Sequence, residues 1–480
     1  MHETHRRRTR ILATLGPATD EPEMLAALVS AGVDAVRINY SHGSREEHAR
    51  RIRQVREAAA AAGRDIGILA DLQGPKIRIE RFANGPIMLV PGARFALDTA
   101  HPAAAGTAEI VGCAYTDLPR DVAAGDTLML NDGAIRLHVT QVAGTRIDTE
   151  VEVGGELSDR KGINKAGGGL SAAALTERDH DDLAHAAAQG VDFLAVSFPR
   201  HGEDMREARR LLDAAGSSAA LVAKIERAEA LLALDSIIEA SDAVMIARGD
   251  LGVEIGDAEL PGWQKRITRA AREGNRLVIT ATQMMESMIT SSIPTRAEVL
   301  DVANAVMDGT DTVMLSAETA TGRHPPRVVE AMARVCLGAE AAMPEPRDRD
   351  RDRMDSHFVR TDEAIAMATI WTAKHMHAEA IVALTESGST ALMMSRSDTR
   401  IPIFALTQLE ATRRRMTLCR GVYPIAFTPS ELDSARPAQE ATDMLLVHGW
   451  LQRGDRALLT KGDFTGPGGT NTMKIVTVDS

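Results

Sequence analysis

The chain has 480 residues, which predicts two or three domains rather than a single core. Aromatic residues make up only 3% and the formal net charge is −12, and both argue against nucleic acid or an anionic membrane as a partner. Three cysteines without a CxxC pair, no secretory signal and no apolar run near the ~18 residues of a membrane span predict a reducing, cytoplasmic location.

Strand and helix signals alternate through residues 10–71. Three short apolar runs there predict buried strands, at 11–15, 33–38 and 66–70. From 76 to 169 the pattern changes to short strands of alternating polarity, and helix signals nearly vanish. One predicted strand carries Ile135, Leu137 and Val139 on a single face. We therefore expect an antiparallel β module inserted into an α/β domain.

The alternation resumes near Leu175 and continues to Arg347–Arg353, a run of alternating charge that we interpret as a solvated linker. Five apolar runs predict further barrel strands, at 193–196, 221–223, 243–246, 277–279 and 312–315. Later runs predict strands of a last domain, at 380–384, 402–406, 456–460 and 474–478.

Three strands before the insertion and five after it predict a closed (β/α)8 TIM barrel. The predicted fold class is α/β: this barrel, an inserted antiparallel β-barrel lid domain and a C-terminal α/β domain. The predicted domains are 1–75 and 173–344 for the barrel, 76–172 for the lid and 345–480 for the C-terminal domain.

Two neighbouring predicted strands end in charged residues. Lys224 and Glu226 are two residues apart on one strand, so their side chains share a face, and Asp250 follows the next strand. One ammonium and two carboxylates at the open end of a parallel sheet predict a site for a divalent metal and phosphate. This combination favours phosphoryl transfer.

More polar side chains are expected at the same ends of the strands. They are Arg37, Asn39, Ser41, Asp71, Ser197, Thr282, Ser316 and Glu318. Each has an ordinary interpretation when taken alone, since a lone Lys or Glu usually lies on the surface and Thr282 or Ser41 could cap a helix. Their coincidence at one barrel mouth favours a reactive site, because a purely structural layer would be apolar.

Several ordered motifs resemble pyruvate kinases, and the likeness runs from about residue 9 to the end. They are RILATLGPA at 10–18, RINYSHG at 37–43, DLQGPKIR at 71–78, KIE at 224–226, ARGDLG at 247–252, ATQM at 281–284 and LSAETA at 315–320. The tail from Thr385 is most similar to a bacterial branch that responds to AMP or sugar monophosphates. The resemblance implies a homotetramer that transfers the phosphoryl group of phosphoenolpyruvate to ADP, giving pyruvate and ATP.

The resemblance also implies catalytic roles. Arg37 would hold the transferring phosphoryl group, and Lys224 would neutralise charge on the phosphoryl and enolate oxygens. Glu226 and Asp250 would hold Mg²⁺ or Mn²⁺. These roles agree with the needs of phosphoryl transfer, which are positioning and cations where charge accumulates.

Substrate contacts are implied elsewhere. The Gly249 backbone and the Thr282 hydroxyl would bind the substrate carboxylate, and either Thr282 or a water relay would protonate the enolate. Arg78 and Lys161, at the two ends of the inserted module, would reach the nucleotide phosphates. The chain has no Walker A motif and no Gly-rich kinase loop, so a hinged cationic lid suits the nucleotide.

Many family members hold K⁺ with residues that match Asn39, Ser41, Asp71 and the Leu72 carbonyl. Lys76 stands where K⁺-dependent members tend to carry Glu. We expect its ammonium to do the electrostatic work of the ion, so that the enzyme needs K⁺ weakly or not at all. The alternative is a Lys76 side chain that simply extends into solvent.

An effector site is expected at a strand-to-helix turn of the last domain, because hydroxyls and backbone N–H groups bind phosphate there. Its residues would be Thr385, Ser387, Gly388, Ser389 and Thr390, with Gly466–Asn471 as a facing loop. A plain helix cap is the alternative. Glu386 stands where members that respond to fructose 1,6-bisphosphate often have Lys, so a monophosphate effector is expected.

Two other functions remain open from the residues. A metal-dependent lyase or aldolase acting on pyruvate-like substrates would also use Arg with a Glu/Asp metal pair, but it would need neither the cationic lid nor ADP. A catalytically silent sugar-phosphate sensor is opposed by the intact Lys224, Glu226, Asp250 and Thr282.

Overall fold

The computed structural model of the chain describes residues 7–343, 357–397, 399–430, 436–462 and 469–478. The predicted linker Arg347–Arg353 and the loop residues 466–468 lie outside these ranges. Of the helices in the described ranges, none is long and apolar enough to span a bilayer.

The strands follow the chain in four groups. The first three are β1 (Arg10–Thr14), β2 (Ala35–Asn39) and β3 (Gly67–Asp71). The inserted segment forms β4 (Ile87–Leu89), β5 (Arg94–Asp98), β6 (Ile110–Gly112), β7 (Thr127–Leu130), β8 (Ile135–Ala143), β9 (Arg146–Val153), β10 (Gly155–Leu157) and β11 (Ile163–Lys165). Then come β12 (Phe193–Val196), β13 (Ala220–Ile225), β14 (Ala243–Ala247), β15 (Leu277–Ala281) and β16 (Thr312–Leu315). The last group is β17 (Ala380–Leu384), β18 (Ile403–Thr407), β19 (Val422–Ala426), β20 (Arg456–Gly462) and β21 (Thr470–Thr477).

The helices of the first part of the chain are α1 (Pro22–Ser30), α2 (Arg45–Ala61), α3 (Leu118–Asp121), α4 (Glu177–Ala188), α5 (Gly202–Ala214), α6 (Ala228–Leu232), α7 (Leu234–Glu239) and α8 (Arg248–Ile255). Those of the second part are α9 (Leu260–Glu273), α10 (Arg296–Asp308), α11 (Ala317–Ala320), α12 (Pro325–Ala342), α13 (Thr361–His375), α14 (Ser389–Ser395), α15 (Glu410–Met416) and α16 (Arg436–Val447). Capping boxes begin α2 and α10, where Ser44 pairs with Glu47 and Thr295 with Glu298.

Eight parallel strands close into a barrel in the spatial order β1-β16-β15-β14-β13-β12-β3-β2. This confirms the predicted TIM barrel. The strands are buried along almost their whole length, which explains why they appear in the sequence as short continuous apolar runs. Parallel strands end at one rim, so the polar residues that follow them meet at the barrel mouth.

The inserted segment forms a six-stranded sheet in the order β11-β7-β8-β9-β5-β6 and a two-stranded ribbon of β10 and β4. Pairing is antiparallel as predicted, except that β5 and β6 run parallel. Ile135, Leu137 and Val139 of β8 are buried, so the predicted face of that strand is confirmed.

The C-terminal sheet has the order β19-β18-β17-β20-β21, with β21 antiparallel to β20. Strand β19 was not predicted from the sequence. Pro424 interrupts its pattern, and a proline is tolerated there because β19 lies at the sheet edge, where a missing N–H costs little.

An aspartate precedes every second barrel strand and closes the bottom of the barrel. Each of these carboxylates accepts a hydrogen bond from the backbone N–H of a residue on the neighbouring strand, at 2.7–2.9 Å. The pairs are Asp34 with Ile11, Asp192 with Ile68, Asp242 with Leu221 and Asp311 with Val278. Because the C-terminal domain packs against this bottom layer, the barrel mouth stays free for chemistry.

Candidate active site

The Lys224 ammonium lies at the barrel mouth among three oxygen acceptors. Its Nζ is 2.8 Å from Glu226 Oε1, 2.7 Å from Ser197 Oγ and 3.4 Å from Asp71 Oδ1. Burial lowers the pKa of Lys224, but the charges of Asp71 and Glu226 oppose it, and the pKa lies above its ordinary value. Lys224 therefore carries a fixed positive charge in a largely dry site.

Two carboxylates share this space with Lys224, the buried one of Glu226 and the partly buried one of Asp250. The pKa of Glu226 is raised to about 7, mainly by burial; the charge of Lys224 opposes this rise and that of Asp250 adds to it. Burial also raises the pKa of Asp250, against the opposing charges of Lys224 and Lys76. Two carboxylates that disfavour each other's ionisation are a fitting pair of ligands for a hard divalent cation, which would stabilise both charges.

Arg37 is tied to the same cluster through Asp71. Its Nε donates to Asp71 Oδ2 at 2.6 Å and its Nη1 donates to Thr14 Oγ1 at 3.2 Å. Burial raises the pKa of Asp71, but Lys224 and Arg37 bring it below its ordinary value. Asp71 therefore remains an anion that fixes both cations.

Gly249 and Thr282 are joined by a hydrogen bond at the ends of two neighbouring strands, β14 and β15. The Gly249 N–H donates to Thr282 Oγ1 at 2.9 Å, and the Thr282 hydroxyl donates to the Ala281 carbonyl at 2.7 Å. Thr282 has a φ of 67°, a left-handed conformation that residues with a Cβ rarely adopt. Arg248 holds it there by donating to the Thr282 carbonyl at 2.7 Å and to Asp301 Oδ1 at 2.7 Å.

The root of the inserted domain brings its two chain ends together. Arg78 and Gly162 form an antiparallel bridge, and the Ile79 N–H donates to the Lys161 carbonyl at 3.0 Å. Arg78 and Lys161 are thus neighbours on paired segments, as expected from the sequence.

Both domain types of a single family match this chain. The model described as pyruvate kinase, barrel domain, matches residues 6–329, and the model described as pyruvate kinase, alpha/beta domain, matches residues 363–476. The chain belongs to the pyruvate kinase family. It is a phosphotransferase of the reaction between phosphoenolpyruvate and ADP, and the lyase alternative finds no support.

Relatives of the same family match over almost their full length. Pyruvate kinase II of Salmonella typhimurium is 54% identical over 478 residues, which cover 98% of this chain and 99% of that protein. A pyruvate kinase of Haemophilus influenzae is 51% identical and 97% of each chain is covered. The crystal structure of a pyruvate kinase from Cryptosporidium parvum superposes with a TM-score of 0.94 at 33% identity, covering 99% of this chain and 97% of that one.

The candidate monovalent-cation residues are engaged with protein partners. Asn39 Oδ1 accepts from the Ser41 N–H at 3.1 Å, and the Leu72 carbonyl accepts from the Ser197 hydroxyl at 2.8 Å. Lys76 has an exposed side chain beside them. Neighbouring atoms desolvate its ammonium and lower its pKa, as do Arg78 and Lys224, whereas Asp250 and Asp71 raise it. The pyruvate kinase chain thus brings an ammonium within electrostatic reach of Asp71.

The candidate effector residues form a tight turn before α14. The Gly388 N–H donates to Thr385 Oγ1 at 2.9 Å and the Ser389 N–H donates to Ser387 Oγ at 3.3 Å. Gly388 has a φ of 84°, which favours glycine. Thr390 differs from the other candidates, because its buried hydroxyl is paired with Thr470 at 2.6 Å.

Other residues at the mouth are engaged in contacts that the sequence did not predict. The Glu318 carboxylate, just after β16, accepts from the Ser316 and Met285 N–H groups, at 2.6 and 3.1 Å, so it links the segments that follow β16 and β15. Sequence reasoning missed Phe198, whose N–H donates to Glu226 Oε2 at 2.8 Å. No pattern in the sequence signals a backbone contact of this kind.

Proposed function

We propose that Lys224, Arg37, Glu226 and Asp250 carry the transfer of the phosphoryl group from phosphoenolpyruvate to ADP. The observation that supports this most is the 2.8 Å contact between Lys224 Nζ and Glu226 Oε1 in a site that Asp250 also faces. A cation that is already held by buried acceptors needs no reorganisation when charge develops on the substrate.

Arg37 and Lys224 would stabilise negative charge at two places, the transferring phosphoryl group and the enol oxygen. Arg37, fixed through its Nε, would bind the oxygens of the transferring phosphoryl group. As the P–O bond to the enol oxygen breaks, negative charge develops on that oxygen, and the Lys224 ammonium would stabilise it. Protonation of the enolate carbon then gives pyruvate, with the Thr282 hydroxyl or a water relay as donor.

Gly249 and Thr282 would bind the carboxylate of the substrate. The two groups are already adjacent, since the Gly249 N–H donates to Thr282 Oγ1 at 2.9 Å. A substrate carboxylate would replace these internal hydrogen bonds and accept from both groups. The constraint on Thr282 from Arg248 supports this role, because binding then orders little new structure.

Glu226 and Asp250 would hold Mg²⁺ or Mn²⁺. Such a cation supplies charge neutralisation and a template for phosphate oxygens. No cluster of three or more His, Cys, Asp or Glu side chains that could hold a metal occurs in the described ranges, so substrate and water would complete the coordination. Arg78 and Lys161 on the lid would bind the nucleotide phosphates, and lid closure would exclude water.

The proposal also covers the monovalent cation, the effector and the oligomeric state. Lys76 would take the electrostatic place of K⁺ beside Asp71, so that the ion is not required. The turn with Thr385, Ser387 and Ser389 would bind AMP or a sugar monophosphate. We also propose a homotetramer, which the family resemblance implies, and a cytoplasmic location, which the three unpaired cysteines support.

One assay tests the proposed activity. Pyruvate formation from phosphoenolpyruvate is followed with and without ADP, at fixed Mg²⁺. Pyruvate that appears only with ADP, together with equimolar ATP, supports the proposal. Pyruvate formed without ADP would favour a lyase, and no pyruvate in either case would favour a sensor.

A further inference from the structure

A polar corner at the end of β12 contacts both charged groups of the candidate site. Ser197 and Phe198 form this corner, which follows the strand Phe193–Val196 directly. Ser197 contacts Lys224 and Phe198 contacts Glu226. One short segment of chain therefore contacts both the ammonium and the carboxylate of the candidate site.

The Ser197 hydroxyl has a fixed orientation. Its Oγ donates to the Leu72 carbonyl at 2.8 Å, so a lone pair on Oγ remains for the Lys224 ammonium at 2.7 Å. Ser197 is only 1% exposed, which keeps water from replacing either bond. Among the three acceptors around Lys224 Nζ, the Ser197 hydroxyl is the neutral one, and Asp71 and Glu226 are carboxylates.

The backbone conformation of Phe198 directs its N–H toward Glu226. Phe198 has a φ of 57°, a left-handed conformation that a residue with a Cβ rarely adopts, and its N–H donates to Glu226 Oε2 at 2.8 Å. Gly74 makes room for this turn. A Cβ at Gly74 would lie 2.8 Å from Ser197 Cβ, closer than real Cβ atoms approach, and 3.0 Å from Phe198 Cδ2.

We propose that Ser197 is a positioning residue for phosphoryl transfer, whose hydroxyl holds the Lys224 ammonium in place while the adjoining Phe198 N–H fixes Glu226. This inference rests on the proposed roles of Lys224 and Glu226. Without the neutral acceptor, the ammonium would move toward the two carboxylates, and less of its charge would face the substrate. Misplacing a catalytic cation in this way lowers the rate of the chemical step more than it weakens substrate binding.

The first test compares two buried serines. Ser241 is a matched control, because it is 3% exposed and its hydroxyl donates to the Ile237 carbonyl at 2.7 Å, on the side of the barrel away from Lys224. We expect Ser197→Ala to lower kcat by roughly 10- to 100-fold, with the KM for phosphoenolpyruvate changed by less than about threefold. Ser241→Ala should leave kcat unchanged.

Two readouts separate positioning from a loss of structure. Binding of Mn²⁺, measured by electron paramagnetic resonance of the free ion, should change less than about threefold in Ser197→Ala. Ser197→Cys replaces the hydroxyl by a somewhat larger thiol, which fills the space but is a weak acceptor, so its kcat should stay low. A fully active Ser197→Cys, or a kcat loss in Ser241→Ala of equal size, would overturn the proposal.

A double-mutant cycle with Lys224→Met tests whether Ser197 acts through Lys224. In that background Ser197→Ala should cost less than about threefold, since the group that it positions is gone. If Lys224→Met is slow but the two losses multiply, this inference fails and the proposed function stands. If Lys224→Met is as fast as the unchanged enzyme, both fail.

Discussion

Arg396 and Asp311 form a two-point ion pair that joins the C-terminal domain to the barrel. Arg396 Nη1 lies 2.8 Å from Asp311 Oδ2, and Arg396 Nη2 contacts Asp311 Oδ1. Both side chains are fully buried. Asp311 also accepts from the Val278 N–H at the bottom of the barrel, so one carboxylate links two domains.

We expect Arg396→Met to destabilise the protein strongly. Removing the guanidinium leaves the Asp311 carboxylate buried without its counter-charge, a change that typically costs about 3–5 kcal/mol. Thermal unfolding followed by circular dichroism measures this loss. Arg413→Met is the control, because its partner Asp65 is 23% exposed and water can solvate the freed carboxylate. Equal losses in the two variants would contradict the argument.

We expect Lys224→Met to lower turnover by on the order of 10²-fold or more, because the charge that meets the enolate oxygen is removed from a dry site. Mn²⁺ binding should change far less, since Glu226 and Asp250 remain. Steady-state kinetics and a Mn²⁺ titration check both parts. Lys265, which is half exposed and paired with Asp308, provides Lys265→Met as a control of unchanged rate. Near-normal turnover of Lys224→Met would refute the assignment.

We expect the stability of the folded protein to depend on pH through Glu254, which lies beside the inserted domain. Its Oε2 accepts from the Ala228 N–H at 2.8 Å, its carboxylate pairs with Asn164 of β11, and burial raises its pKa to about 7. A carboxyl with a raised folded-state pKa stabilises the fold most when protonated. That stability is complete below the unfolded pKa near 4.5 and is lost as the pH rises to about 7.

Glu254→Gln should therefore stabilise the protein at pH 8 and do little at pH 4.5. The gain should grow between these values and level off at up to about 3 kcal/mol, because Gln keeps the acceptor and cannot ionise. Thermal unfolding at several pH values measures it. Glu207→Gln, a change at an exposed position of α5, should show no such trend. A gain in stability that is the same at every pH would contradict the raised pKa of Glu254 as its cause.

The fold was largely predictable because its strands are buried on both faces. The bounds of β12, β16 and β17 match the predicted ones, since uninterrupted apolar runs are typical of parallel strands between helices. Strand β19 was not predicted because Pro424 breaks the apolar pattern. The proline is tolerated because β19 lies at the edge of the sheet.

The charged side chains of the site could be predicted from the sequence, whereas the backbone contacts that hold them could not. Spacing by two placed Lys224 and Glu226 on one face, and they meet at 2.8 Å. The left-handed turn at Phe198 depends on room beside Gly74, a tertiary contact that no local pattern encodes. The same holds for Glu318, whose carboxylate is occupied by N–H groups from two loops.

We expect the effector turn to bind ribose 5-phosphate more tightly than fructose 1,6-bisphosphate. The exposed Glu386 lies in the turn, where its negative charge disfavours a second phosphate. Isothermal titration calorimetry of the two sugars measures the order. Glu386→Lys should narrow or reverse the difference, whereas tighter binding of the bisphosphate by the unchanged protein would refute the prediction.

Because of Lys76, we expect the turnover of the enzyme to depend weakly on K⁺ or not at all. Its ammonium interacts electrostatically with Asp71 and Asp250, so a positive charge is supplied there by the chain itself. At fixed ionic strength, replacing Na⁺ by K⁺ should change turnover by less than about twofold, and Lys76→Glu should make turnover rise by tens-fold on adding K⁺. Lys76→Gln separates loss of charge from gain of a ligand, because it removes the ammonium without adding a carboxylate. A tens-fold rise with K⁺ in the unchanged enzyme would contradict the prediction and favour the alternative, in which the exposed Lys76 side chain does not replace the ion.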